Sequence, residues 1–313
     1  MTAIEITAIV PITERVEHVD QLILSYHHTL AKLNKPYEFL FLVSPQWNSY
    51  KASLEAIIAQ GVPGKIVSFS RAFGEATAIQ VGGEMAHGDI ILTLTPYEQI
   101  APESISQVIE NLKGDTQMVI VNRSPRVDTS FNQLQSRWFH GILNMFAYPK
   151  FKDMGCGIRA FRKDILKEIR LYGDLHRFIP LLAHQQGFSV KEIDIPQSPR
   201  DAHRRVYGAK TYLGRFFDLL TIIFLTRFNQ KPLRFFGAGG AICLGISILG
   251  LLYIGLERLF FDISAADRPL LVVFSLLLVL GVQLGAIGLV GETIIFTHAK
   301  NSRPYTIRKI VND

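Results

Sequence analysis

The sequence predicts an α/β domain with a mainly parallel sheet, followed by an amphipathic helix at a membrane surface and two membrane-spanning helices. In the first two thirds of the chain, apolar runs of strand length alternate with amphipathic runs of helical period. Long runs almost without charge follow after residue 230, and the excess of basic residues lies in the same part of the chain. With 48% hydrophobic and 19% charged residues among 313, a disordered or fibrous chain is excluded.

The first part of the chain, residues 1–206, reads as alternating strands and helices. We expect strands at residues 4–11, 39–43, 65–69, 89–94 and 118–121, with helices at residues 19–30, 75–86 and 102–112. Such alternation predicts a parallel sheet covered by helices, which places ligands at the carboxyl ends of its strands. The N-terminus has no basic start and no long apolar run, so we expect the chain to begin in the cytosol.

The pattern changes in residues 207–230. Large apolar side chains recur at helical spacing from Leu213 to Phe224, while Lys210, Arg215 and Asp218 lie largely off that stripe. This arrangement favours a basic amphipathic helix lying in the membrane interface. A helix packed on the soluble domain is the alternative.

The last part, residues 231–313, contains two candidate membrane spans. Residues 233–256 carry a single charge, Arg234, and residues 269–291 carry none. At a rise of about 1.5 Å per residue either run can cross a hydrocarbon core of about 30 Å. The loop between them holds two basic residues, whereas residues 200–234 hold eight. By the positive-inside rule we expect a multi-pass protein of the cytoplasmic membrane, with the large domain and the C-terminus in the cytosol.

The charge distribution bears on the partners. The formal net charge is +6, but residues 1–206 hold 22 basic and 21 acidic residues, against 11 and 6 in residues 207–313. This asymmetry favours a membrane rich in anionic lipid and argues against nucleic acid as a partner.

Two cysteines support neither a disulfide framework nor a zinc site. Small residues in the first span would permit close helix packing, which leaves a homo-oligomer open: Gly237, Gly239, Gly240, Gly245 and Gly250.

Several short strings carry a family resemblance. Residues 70–76 read SRAFGEA, residues 153–159 read DMGCGIR, residues 176–180 read HRFIP, and residues 303–308 read RPYTIR. In this order and spacing they resemble the family 2 glycosyltransferases that glycosylate polyprenyl phosphates, among them the dolichol-phosphate mannosyltransferases. The resemblance covers nearly the whole chain, including both spans.

The resemblance implies a GT-A fold, a nucleotide-sugar-binding α/β domain. It also implies inverting transfer of one sugar from a nucleotide diphosphate donor to a polyprenyl phosphate in the membrane. The acceptor phosphate is already anionic, so it can attack without a general base to remove a proton. The protein must then chiefly align and neutralise two groups of phosphates, and arginine suits that task.

The sequence departs from the family pattern on the donor side. The family's D-A-D-x-Q, whose acids hold Mg²⁺ or Mn²⁺, reads here Thr95, Pro96, Tyr97, Glu98 and Gln99. Threonine and tyrosine replace carboxylate charge poorly, and Glu98 would point to the other side of an extended loop. The family's V-D-D-G-S and P-V-Y-N-E are also altered, to LVSPQ at residues 42–46 and PITER at residues 11–15. We therefore assign no metal ligand and expect any activity to depend weakly on divalent metal.

The resemblance also suggests site residues. Phosphate contacts are expected from Arg123, Arg137 and Arg200, and Asp153 either orients an arginine or contacts the sugar, or caps the turn before Gly155. The candidate donor-binding residues are Pro11, Glu14, Arg71, Thr95, Tyr97 and Gln99, although Arg71 could instead stabilise the turn into the next helix. The candidate lipid-phosphate-binding residues are Arg159, Arg204 and Arg205.

Two functions are compatible with these residues. The first is an active transferase that compensates the donor's charge with protein cations. The second is a membrane subunit that binds polyprenyl phosphate or a partner and has lost catalysis. A transporter is disfavoured, since two spans without internal polar groups offer no pathway.

Overall fold

The computed structural model describes residues 4–125, 151–169, 171, 173–201, 232–261 and 269–299. The chain divides into two compact units, residues 1–222 and 223–313, which we describe separately. The described strands of the first unit are β1 (Ile6–Ile12), β2 (Tyr37–Val43), β3 (Gly64–Ser68), β4 (Ile90–Thr93), β5 (Met118–Arg123), β6 (Arg159–Arg162) and β7 (Val190–Ile195).

These strands form one mixed, mostly parallel sheet in the order β3-β2-β1-β4-β6-β5-β7. Strands β1, β2, β3 and β4 run parallel, as do β5 and β7, whereas β6 lies antiparallel to both β4 and β5. The central strands are apolar on both faces, and every residue of β1 is buried. Strands that are buried on both faces are typical of a parallel sheet covered by helices on both sides. The predicted α/β class with a mainly parallel sheet is confirmed.

The described helices of this unit are α1 (Val19–Ala31), α2 (Lys51–Ala59), α3 (Glu75–Met85), α4 (Ile105–Glu110), α5 (Asp164–Glu168) and α6 (Ile179–Gln185). Helix α1 buries an apolar stripe of Val19, Leu22, Ile23, Tyr26 and Leu30. Helix α3 begins directly after Gly74, whose φ of +82° is a left-handed conformation that glycine adopts without strain. Short 3₁₀ turns cover Pro45–Tyr50, Pro102–Ser104, Leu175–Phe178 and Pro199–Asp201.

The second unit contains α7 (Pro232–Phe261) and α8 (Pro269–Ala299). Both helices are long and apolar enough to cross a membrane. Helix α7 extends past the predicted residues 233–256 at both ends, and α8 extends past the predicted residues 269–291 at its C-terminal end. The predicted interfacial helix at 207–230 lies outside the described residues.

Small residues let α7 and α8 pack closely. A Cβ on Gly240 would lie 2.8 Å from the carbonyl oxygen of Gly281, and one on Gly250 would lie 2.5 Å from the ring of Phe274. The Ser247 hydroxyl, fully buried, donates to the Phe274 carbonyl over 2.6 Å. Two of the glycines that suggested self-association therefore serve contact between the two helices of one chain.

This packing gives a stability prediction. Replacing Gly240 by alanine should lower the melting temperature of the full chain in detergent, because the new methyl group meets backbone atoms of α8. Gly245→Ala is the matched control, since no atom lies within 4 Å of its added Cβ. Both changes gain similar helix propensity, so their difference isolates the contact. Equal melting temperatures would contradict the close approach of the helices.

Candidate active site

Polar and charged side chains of the first unit meet at one edge of the sheet. They come from the segment after β1, the loop after β4, the end of β5, the loop before β6, the start of α3, and the turn Pro199–Asp201. This edge lies at the carboxyl ends of β1, β4 and β5, where parallel sheets place their ligands.

Arg123, the last residue of β5, lies in the centre of a buried ion-pair network. Its Nε and Nη2 donate to the Asp153 carboxylate at 2.7 and 3.2 Å, and its Nη1 donates to Asp201 Oδ2 at 2.9 Å. The side chains are 11%, 0% and 3% exposed, in that order. Burial alone lowers the pKa of Arg123, but the Asp153 carboxylate raises that pKa well above its usual value. The guanidinium is therefore permanently charged and held in one orientation.

Asp153 makes the contacts of two of the three roles considered from the sequence, and a contact with the sugar stays a prediction. It orients Arg123, and its Oδ1 also accepts a hydrogen bond from the Gly155 backbone N–H at 2.9 Å. A Cβ on Gly155 would lie 3.1 Å from Arg123 Nη2, which makes this turn part of the network.

Arg15 follows β1 and reaches the same network from the other side. Its Nη1 donates to Asp201 Oδ1 at 3.0 Å, and its Nε and Nη2 donate to the two oxygens of Glu17 at 2.8 and 2.9 Å. The guanidinium carbon lies 4.2 Å from the centroid of the Tyr97 ring. This is a cation–π contact, and it places a positive charge directly on the loop that replaces the family's acidic pair.

The loop after β4 is held by its own side chains. The Thr95 hydroxyl donates to the Tyr97 carbonyl at 2.7 Å, and the Gln99 amide donates to the Tyr97 hydroxyl at 3.0 Å. Gln99 Oε1 accepts from the Gly157 N–H at 2.8 Å. Burial, together with the negative charge of Glu75, raises the pKa of Tyr97, so the phenol stays neutral.

These residues do not fit the Mg²⁺ or Mn²⁺ that the family resemblance implies. A hard divalent cation prefers carboxylate oxygens, and this loop offers a neutral phenol and a hydroxyl already bonded to a carbonyl. The one acid of the loop, Glu98, turns away from Tyr97 and accepts from the Ser198 hydroxyl at 2.6 Å. The guanidinium of Arg15 over the Tyr97 ring would also repel a metal ion.

Arg200 lies next to Asp201 in the chain, but its side chain contacts Glu98 rather than the network around Arg123. Its Nη1 pairs with Glu98 Oε2 at 3.1 Å, and its side chain is 71% exposed. Its neighbour Asp201 is the residue that bonds both Arg15 and Arg123. The turn Pro199–Asp201 thus contacts the loop after β4 through Arg200 and the arginine network through Asp201.

Glu75 and His176 form a pair of titratable side chains at this edge of the sheet. His176 Nε2 lies 3.5 Å from Glu75 Oε2, and their side chains are 8% and 20% exposed. Burial, reinforced by the negative charge of Glu14, raises the pKa of Glu75 to about 7. Burial, with the positive charges of Arg177 and Arg159, lowers the pKa of His176 to about 3. Near neutral pH the imidazole is therefore uncharged, and Glu75 is the group that changes its charge.

The remaining predicted residues are placed as follows. Arg159 is 3% exposed, and its guanidinium donates to the backbone carbonyls of His176 and Met154, so it joins those two segments. Pro11 is buried in β1, while Glu14 and Arg71 are exposed, with Arg71 stacked 4.7 Å from the Phe73 ring. Residues outside the described part of the chain are Arg137, Arg204 and Arg205.

The structure therefore brings together Arg123 and Asp153, with Thr95, Tyr97 and Gln99 nearby. It adds three residues that the sequence did not assign: Arg15, Glu75 and Asp201. Arg15 could have been found, because it stands where the family pattern has glutamate, a reversal of charge beside the lost acids. Asp201 carried no such signal.

The mixed, mostly parallel sheet with its helices defines a GT-A-like fold. A glucosyl-3-phosphoglycerate synthase from Mycobacterium tuberculosis superposes with a TM-score of 0.52 at 12% identity, over 71% of this chain and 78% of that one. A mannosyltransferase from Pyrobaculum calidifontis superposes with a TM-score of 0.50 at 15% identity, over 71% of this chain and 63%, just under two thirds, of that one. At such identities the likeness concerns the fold alone.

The sequence comparison identifies the family. The model of the family described as "Glycosyl transferase family 2" matches residues 7–170, more than half of the chain. The chain belongs to this family and is a glycosyltransferase.

Curated relatives match over nearly their whole length. The chain is 25% identical over 318 residues to a dodecaprenyl-phosphate galacturonate synthase of Rhizobium johnstonii, covering 99% of this chain and 94% of that protein. It is 28% identical over 313 residues to an undecaprenyl-phosphate 4-deoxy-4-formamido-L-arabinose transferase of Pectobacterium atrosepticum, covering 98% and 94%.

Proposed function

We propose that this protein transfers a sugar from a nucleotide diphosphate sugar to a polyprenyl phosphate in the membrane. The observation that carries the proposal is the extent of the similarity to polyprenyl-phosphate sugar transferases. It covers 98–99% of the chain, so it includes both apolar helices as well as the domain with the site. An acceptor that lies in the membrane gives the transferase a use for two such helices.

The reaction requires one bond to form and one to break. An oxygen of the acceptor phosphate attacks the anomeric carbon, and the bond from that carbon to the donor's diphosphate breaks. The nucleoside diphosphate leaves with the electron pair, and the configuration at the carbon inverts. No proton has to move, since the attacking phosphate oxygen is already ionised. The task of the protein is to bring two anionic groups together and to stabilise the charge on the leaving diphosphate.

Arg123 is the described residue best suited to that task. It is charged, rigidly oriented by Asp153 and Asp201, and placed at the carboxyl end of β5. Such preorganised charge stabilises a developing anion without reorganisation during the reaction. The predicted contributions of Arg137 and Arg200 to phosphate binding, and of Arg159, Arg204 and Arg205 to lipid-phosphate binding, stay predictions.

The orientation in the membrane also belongs to the proposal. The basic residues before the first span and after the second support a hairpin in the cytoplasmic membrane, with both ends in the cytosol. That orientation gives the domain access to cytosolic nucleotide sugars. Self-association of the chain stays a prediction from the small residues of α7.

The acceptor requirement tests this function. We expect the full chain, reconstituted in lipid nanodiscs and supplied with a panel of radiolabelled nucleotide sugars, to label polyprenyl phosphate with one of them. Polyprenol of the same length, which lacks the phosphate, should not be labelled. Labelling of polyprenol, or of a soluble acceptor only, would contradict the proposal.

A further inference from the structure

A guanidinium lies on the loop that would have to hold a divalent metal. Arg15 packs its charge 4.2 Å from the Tyr97 ring centroid, and the Glu17 backbone N–H donates to the Pro96 carbonyl at 3.0 Å. The segment after β1 and the loop after β4 are therefore joined by a backbone hydrogen bond and a cation–π contact. These contacts fix the position of the positively charged Arg15 guanidinium.

The two edges of this guanidinium differ in their surroundings. The inner edge is anchored, because Nη1 donates to Asp201, whose side chain is 3% exposed. The outer edge, Nε with Nη2, holds the two oxygens of Glu17, whose side chain is 47% exposed. A carboxylate held by two parallel N–H groups has the same geometry that an arginine uses for phosphate.

The Glu17 carboxylate is therefore a replaceable occupant of the outer edge. An ion pair with such an exposed carboxylate contributes little to stability, so an anion of higher charge can displace it. The inner contacts to Asp201 and Tyr97 would keep the guanidinium in place during the exchange.

We propose that Arg15 binds the diphosphate of the donor without a divalent metal, and that Glu17 occupies its outer edge until the diphosphate displaces it. The inference rests on the proposed function only in that the donor carries a diphosphate. Thr95 and Tyr97 are neutral and cannot hold a metal ion. Arg15 then supplies positive charge to the diphosphate in place of that ion. Asp201, which bonds Arg15 and Arg123 together, aligns both cations along the same edge.

Binding of inorganic pyrophosphate to the full chain tests this proposal without any acceptor or sugar. The titration is followed by calorimetry in zwitterionic nanodiscs, first in EDTA and then with excess Mg²⁺ or Mn²⁺. In EDTA we expect saturable binding to the wild type, a loss of affinity of tenfold or more in Arg15→Gln, and an intermediate affinity in Arg15→Lys, which keeps the charge without the fork. Arg162→Gln, an exposed arginine at the end of β6, is the matched control and should bind like the wild type.

Glu17→Gln gives the result that separates a binding role from a structural one. If Glu17 competes with the ligand, this variant should bind pyrophosphate severalfold more tightly than the wild type. If Arg15 only braces Tyr97, the variant should not change the affinity. Because Glu17 is exposed, this variant remains informative even if Arg15→Gln does not fold.

Four outcomes would overturn the proposal: no binding under any condition, binding only after Mg²⁺ or Mn²⁺ is added, wild-type affinity in Arg15→Gln, or unchanged affinity in Glu17→Gln. None of these decides whether sugar reaches polyprenyl phosphate. Conversely, failure of transfer to polyprenyl phosphate leaves the pyrophosphate result intact, so the two proposals fail separately.

Discussion

Replacing Arg123 by methionine should destabilise the protein by about 3–5 kcal/mol and lower sugar transfer by about 100-fold or more. The stability loss follows from Asp153, whose fully buried carboxylate would lose its guanidinium partner. Removing one member of a buried pair leaves an uncompensated charge in a medium of low polarity. The activity loss follows from the place of Arg123 at the carboxyl end of β5.

A double variant separates the two effects. Arg123→Met with Asp153→Leu removes both charges, so it should recover much of the lost stability while transfer stays low. The free energy of unfolding is measured by urea denaturation in detergent micelles, and transfer is measured under native conditions. Arg162→Met, at an exposed site, is the control. A loss below about 1 kcal/mol in Arg123→Met, the range of surface pairs, would contradict the buried network.

Glu75→Gln should make the protein more stable than the wild type at alkaline pH. The pKa of Glu75 is raised from 4.5 to about 7, so the folded state binds more protons than the unfolded state between those values. Stability of the wild type therefore falls as the pH rises from about 4.5 to about 7 through this group. The variant lacks this fall, and its advantage should approach about 3 kcal/mol above pH 7.

The comparison must be made as a difference between variant and wild type. His176 titrates in the opposite sense, since its lowered pKa of about 3 makes the folded state gain stability with rising pH, and it is present in both proteins. Glu84→Gln, an exposed change on the same helix α3, is the matched control for the substitution itself. A difference for Glu75→Gln that is flat between pH 4.5 and 8 would contradict the raised pKa.

Glu75 should also affect transfer. When it ionises it adds negative charge beside Tyr97 and the network of Arg15, which repels the donor's diphosphate. We expect the KM for the donor to rise above pH 7 in the wild type and to stay level in Glu75→Gln.

The sheet could be predicted because its signals are local. The five expected strands all appear, shifted by one or two residues at their ends, since each is an apolar run bounded by polar residues. Strand β6 was not predicted. It is four residues long, begins and ends with arginine, and owes its place to pairing with β4 and β5 on either side. Strand β7 was missed because three of its six residues are charged. Helix α2 was missed because it is short and buries only Leu54 and Ile57.

The site was harder to predict because it depends on contacts between distant residues. Arg123 and Asp153 could be chosen as candidates from their surroundings, but their pairing joins positions 30 residues apart. Asp201 lies 186 residues from Arg15 and 78 from Arg123, and nothing in its own neighbourhood indicates that it bonds both. The loss of acid at Thr95 and Tyr97 was visible in the sequence. The cation packed against that loop became visible only in three dimensions.

The most direct test of this account is sugar transfer to polyprenyl phosphate after complete chelation of divalent metal. The full chain in nanodiscs is treated with EDTA, and transfer is followed with the radiolabelled nucleotide sugar that the donor panel identifies. The loop after β4 carries neutral side chains at Thr95 and Tyr97, and the guanidinium of Arg15 packs against it. Transfer should therefore continue in EDTA at a rate close to that with Mg²⁺ or Mn²⁺. Complete loss of transfer in EDTA, restored only by Mg²⁺ or Mn²⁺, would contradict the account.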